Sequence, residues 1–195
     1  SFLSLLYSTL GRHDESLQHT NAAKRLDPFS TLTWWLGFLH YHYVRNFEAG
    51  LKTARRGLEL HPDDVLINWA VADSLARLGR TDEAASAVAR LYELTAEFPL
   101  YRACSGILYA TLGKVDTARR IYTELGLDSD EADDPFICSL LSIFVGQTER
   151  ALTMLERAET QRDPLIWVVA RDPYFDEIRS DQRFVELLAR LQLPC

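Results

Sequence analysis

A glycine returns at intervals of 34 residues, each time at the head of the same short phrase. Gly11-Arg-His-Asp-Glu-Ser16 is followed two periods later by Gly79-Arg-Thr-Asp-Glu-Ala84. Gly113-Lys-Val-Asp-Thr-Ala118 comes next, and Gly146-Gln-Thr-Glu-Arg-Ala151 lies 33 residues further on. Pro28 and Pro62 keep the same 34-residue spacing. Each phrase combines a helix stop with a helix start. Glycine adopts the left-handed conformation that ends a helix, and an Asp or Thr just after it is placed to cap the next one. The small residue closing the phrase lets two antiparallel helices approach, and proline ends the second helix because it cannot continue one. A unit of this size buries its apolar side only by stacking on copies of itself.

The spacing predicts helix-turn-helix repeats over 1–30, 31–64, 65–98, 99–132 and 133–163, an array over 1–163, and a closing helical segment over 164–195. A helix-turn-helix period of 34 residues resembles the tetratricopeptide repeat. The fold class expected is therefore all-α, a right-handed α-α superhelix of about five such units with a C-terminal helical tail. Two departures stand out: Arg45 occupies the turn position of the second repeat, and Gly50 replaces its small alanine.

Composition narrows the function. Of 195 residues, 47% are hydrophobic and 25% charged, as in ordinary folded proteins, and the net charge of −7 argues against a nucleic-acid surface. The longest run without Lys, Arg, Asp or Glu is Pro28–Val44, too short to span a bilayer. Residues 1–10 carry no signal-peptide pattern, so a cytoplasmic location is expected. No cofactor and no metal is expected. Cys104, Cys138 and Cys195 are too scattered for a metal knuckle, and His40 and His42 fall on nearly opposite sides of one helix. The acidic run Asp128–Asp134 lacks the glycine and bidentate Glu of a calcium loop and reads as a loop ending in an Asp134 cap. No phosphate loop, no Gly-x-Ser-x-Gly elbow and no His-Glu-x-x-His run occurs, so no catalytic residue is assigned and the chain is read as a non-enzyme.

In a stack of such units the first helix of each pair lines the concave side. The inward positions of the second repeat are Trp35, Leu39, His42 and Tyr43, and those of the third are Trp69, Asp73 and Arg77. Ile107, with Ala103 and Thr111, comes from the fourth, and Phe136, Leu140 and Phe144 from the fifth. Aromatic and aliphatic side chains at these places suit an apolar peptide or helix. With Arg77 the one inward cation, a clamp for acidic tails is excluded. The expected function is a protein–protein interaction scaffold, with Trp35, Leu39, His42, Tyr43, Trp69, Asp73, Arg77 and Ile107 as peptide-binding residues.

Beyond Pro164 the 34-residue rhythm stops. Asp172-Pro-Tyr-Phe175 and Ile178-Arg-Ser-Asp181 precede an amphipathic helix carrying Phe184, Leu187, Leu188 and Leu191, with Asp181 at the capping place. Together with Leu26-Asp-Pro28, Trp34-Trp35-Leu-Gly37 and Leu58-Glu-Leu-His-Pro62, this ending resembles the C-terminal tetratricopeptide region of bacterial multidomain signalling proteins. In that group the array follows a nucleotide cyclase, a winged-helix regulator or a serine/threonine kinase. The resemblance implies an alternative role as the regulatory or oligomerisation domain of a larger protein. The apolar start Phe2, Leu3, Leu5, Leu6 and Tyr7 calls for a cover, a homodimer partner being one option.

Overall fold

The computed structural model describes residues 2–95, 98–129 and 133–193, and among them it is all-α with no strand. Residues 130–132 of the acidic run, and Cys195, lie outside the described residues. Eleven α-helices occur among the described residues: α1 (Phe2–Thr9), α2 (His13–Leu26), α3 (Thr31–Tyr43), α4 (Phe47–Leu60), α5 (Val65–Arg77), α6 (Thr81–Leu94), α7 (Pro99–Thr111), α8 (Val115–Glu124), α9 (Pro135–Phe144), α10 (Thr148–Thr160) and α11 (Gln182–Arg190). Two 3-10 helices, Ile166–Ala170 and Pro173–Ile178, stand between α10 and α11. The chain forms two compact units, residues 1–97 and 98–195.

The turns explain the pairing. At Gly79, with φ +69°, the Gly79 amide donates to Ala76 O and the Arg80 amide to Leu75 O, which closes the end of α5 with a Schellman motif. Gly11, Gly113 and Gly146 have positive φ as well. Arg45 takes the same left-handed conformation, φ +57°, and the equivalent bonds form, the Arg45 amide donating to His42 O and the Asn46 amide to Tyr41 O. The repeat geometry is therefore kept at a position where a side chain costs about 1 kcal/mol.

Capping departs from the sequence expectation. The residues at the N-cap positions of α2, α6, α8 and α10 are Arg12, Arg80, Lys114 and Gln147, and none makes a side-chain cap bond. The acids of the phrase lie within the first turn of the helix, two or three residues past the N-cap, as Asp14 and Glu15, Asp82 and Glu83, Asp116, and Glu149. There they act on the positive helix end by charge rather than as caps. Asparagine or aspartate caps do occur elsewhere: Asn46 accepts from the Ala49 amide, Asp64 from Ile67, Asp134 from Ile137 and Asp181 from Arg183.

In the first unit, α1 packs on α2 and α3, α3 packs on α4 and α5, and α5 packs on α4 and α6. Small residues at the seams, Ser16, Gly50 and Ala84, are all buried. Gly57 has a stricter reason to be glycine, because a Cβ there would lie 3.0 Å from both Ile67 Cδ1 and Trp34 Cβ. In the second unit, α7 packs on α8 and α9, and α9 on α10. The segment Pro173–Ile178 then covers α9, while Ile166–Ala170 and α11 cover α10. Phe175, fully buried, sits 6.0 Å from the ring of Phe136 and 5.9 Å from that of Phe184. Arg183 forks onto Glu156 at 2.7–3.0 Å and reaches Glu149 and Thr153, and Arg190 pairs with Glu159. These contacts tie α11 to α10.

Candidate functional site

The apolar sequence of α3 leaves it buried along most of its length, so its two late histidines must each find polar company inside the protein. They do so on opposite sides. His40 Nδ1 lies 2.8 Å from Ser16 Oγ on α2, and Ser16 Oγ is 2.7 Å from Ser8 Oγ on α1. Burial, reinforced by His13 and Lys24, pushes the His40 imidazole down to about 4, so it is neutral near pH 7. His42 points the other way and donates from Nδ1 to Asp73 Oδ2 of α5 at 2.9 Å. The two imidazoles do not share a ligand, and among the described residues no cluster of His, Cys, Asp or Glu could hold a metal ion.

Asp73 is the centre of the second network. It is 1% exposed, and its other oxygen accepts from Arg77 Nε, one turn along α5, at 3.1 Å. The Arg77 guanidinium lies 5.4 Å above the ring of Phe47, and the fully buried His42 is ringed by Phe38, Tyr43, Phe47 and Trp69. A buried carboxylate without partners would be expensive. Here two donors on two helices satisfy it, and α3 is joined to α5 by a charge-assisted bond.

The candidate residues fall on three tiers. Trp35 and Trp69 are one period apart and each keeps part of its surface exposed. Leu39 and Asp73 form the next tier and are buried, at 3% and 1% exposure; Ile107, in the other unit, is buried as well, at 1%. Tyr43 and Arg77 form the third; Tyr43 is buried, whereas the Arg77 side chain retains 17% of its surface. The first unit thus brings together His42, Tyr43, Trp69, Asp73 and Arg77, while Ile107 belongs to α7 of the second unit. Trp35 Nε1 is buried with no acceptor among the described residues. Phe136 and Phe144, at the inward places of α9, meet Phe175 and Tyr174 of the chain's own tail.

The pairing of His42 with Asp73 was not anticipated, although a signal existed: each is a polar residue inside an otherwise apolar first helix. The Ser8–Ser16–His40 cluster gave less warning, because serine is common at seams and on surfaces alike. Burial pushes Cys104 up to about 12, and Cys138, buried, donates to Leu127 O.

No curated protein sequence matches the chain. Among solved structures it is similar to YrrB, described as a TPR protein with an unusual peptide-binding site, at 17% identity over 86% of this chain and 87% of that one, TM-score 0.48. It is also similar to a chain of Naa15/Naa10 bound to HypK-THB, at 18% identity over 96% of this chain and 30% of that one, TM-score 0.42. Among the described residues no helix is long and apolar enough to cross a membrane. Residues 38–100, from the middle of α3 to the start of α7, match the family model of the tetratricopeptide repeat, a fold suited to protein–protein interaction.

Proposed function

We propose that the chain is a protein-interaction scaffold whose first unit holds an apolar peptide or helix across α3 and α5. The supporting observation is the placement of Trp35 and Trp69 one period apart, both partly exposed, with Arg77, mostly covered, on the same helix as Trp69. Such aromatic anchors bring large contact area at low rotamer cost. Direct contact is assigned to Trp35, Trp69 and Arg77. His42, Asp73, Leu39 and Tyr43, closed off from solvent, form the floor that fixes them. The repeats are read over 1–163, with 164–195 as the closing cap, and no catalysis is assigned. Peptides selected from a displayed random library on the full chain test this reading. Trp69→Ala is expected to weaken the selected peptides at least tenfold, and unchanged binding in both Trp35→Ala and Trp69→Ala would refute it.

A second reading, a regulatory or oligomerisation domain of a larger protein, is supported by the bare apolar side of α1, where Phe2, Leu3, Leu6 and Leu10 are exposed. Its test is sedimentation of the chain alone and with candidate effector domains.

A further inference from the structure

The chain's lysines, Lys24, Lys52 and Lys114, stand in different surroundings. Lys52 and Lys114 are exposed, whereas Lys24, in the last turn of α2, is half-buried. Its amine lies in a slot left by a missing side chain. A Cβ at Gly37 of α3 would come within 2.9 Å of Lys24 Cε and 3.1 Å of Nζ, and within 3.2 Å of the Thr53 methyl of α4. The ring of Trp34 closes another side, its centroid 5.1 Å from Nζ. Among the described residues no carboxylate, carbonyl or hydroxyl accepts from this amine, and burial lowers its hold on a proton. An ammonium placed there gives up water and gains only an aromatic face, which carries no full charge. One turn back on the same side of α2, Thr20 is 1% exposed, and its hydroxyl has no partner among the described residues.

We infer that Lys24 is an acyl-acceptor site, modified by short activated acyl donors of the acyl phosphate class. A desolvated lysine without a counter-ion spends more of its time as the free amine, which is the nucleophile. Its lone pair attacks the acyl carbonyl carbon and the bond from that carbon to the phosphate oxygen breaks. Phosphate leaves with the electron pair and takes up the proton that nitrogen sheds. The product is a neutral amide. That neutrality favours acylation over alkylation or imine formation, because an alkylammonium or iminium would keep a charge that nothing in the slot pairs. Gly37, Thr53 and Trp34 confine the amine, so a short acyl group suits the space. The amide carbonyl brings an acceptor to the side of α2 where Thr20 lacks a partner. Discharge also reaches the neighbouring seam: after burial and His13, the Lys24 charge helps to hold His40 down, so acylation lets His40 rise. The site is independent of both readings above.

Acetyl phosphate is the probe, with acetylation at each lysine of the full chain followed by peptide mass spectrometry. In the folded chain at about pH 7.5, Lys24 should react at least about fivefold faster than Lys52 and Lys114. In concentrated urea the three rates should converge. Gly37→Ala, whose added Cβ displaces the tip of Lys24, should bring its rate to within about twofold of the other two. The comparison of folded with unfolded wild-type chain stands whether or not that variant folds. Lys24 reacting no faster than the exposed lysines in the folded chain overturns the inference. So does an advantage that persists in urea, since the local sequence would then be its cause. An advantage left intact in folded Gly37→Ala overturns it too, because the slot would not be its source.

Discussion

The two units differ in how they cover the outer side of a helix. The second unit folds its own tail over α9 and α10, sealing Phe136 and Phe144 beneath Tyr174, Phe175 and Phe184. The first unit leaves α1 bare and places polar networks within its seams, Ser8–Ser16–His40 on one side of α3 and His42–Asp73–Arg77 on the other. All five histidines lie in the first unit. The second unit adds an aromatic seal to its own buried Tyr122–Ser142 hydrogen bond, whereas the first sets two histidines and a carboxylate into its seams. That difference separates how each responds to mutation and to acid.

The largest expected effect is in the tail. Phe175→Ala removes a fully buried ring between Phe136 and Phe184 and should destabilise the second unit by about 3–5 kcal/mol, read from urea denaturation. If the loss were below 1 kcal/mol, the tail would be an ornament and the contrast would fail. Next is Asp73→Ala, which strips His42 and Arg77 of a shared acceptor inside the first unit and should cost about 3 kcal/mol.

Acid should act on the same unit. His40 is held below its ordinary value in the folded state, so between about pH 6.5 and 4 the unfolded chain binds a proton that the folded chain does not. Stability from this group therefore falls as pH falls through that window, with a slope of at most about 1.4 kcal/mol per pH unit. Fluorescence-monitored urea melts at several pH values would show it, and His40→Asn should flatten the dependence.

Two smaller changes refine the picture. Arg45→Gly should stabilise by about 1 kcal/mol in the same melts, since it relieves a left-handed arginine while keeping the α3–α4 turn. Leu6→Glu in the unmodified chain should change stability by less than about 0.5 kcal/mol, because its side chain is already exposed. A large loss there would mean that α1 is covered in solution.

Much of this architecture was readable from residue spacing. The glycine phrases located the turns because a left-handed helix end demands a particular residue, and Arg45 shows that the register survives even without it. The capping chemistry was misread by about two residues, since Asp82 and Glu83 stabilise a helix end from inside as readily as from its edge. The 3-10 helices around Asp172 gave no periodic signal to read. The pairing of His42 with Asp73 depends on two helices meeting at one register, which spacing within either helix does not specify. Among the proposed contacts, spacing could place Trp35 and Trp69 on one side but could not separate them from the covered tier below.

The bond between His42 and Asp73 also has a mechanical consequence. Stacked helices yield to tension by sliding along one another, and an apolar seam resists such sliding smoothly because one methyl group replaces the next. A displacement of one helical turn, about 5.4 Å, would carry the imidazole past its carboxylate and strand both in a dry interior. Pulled from its ends, the first unit should therefore hold its length and then yield abruptly at the junction of α3 and α5, as a ratchet does when its tooth is lifted.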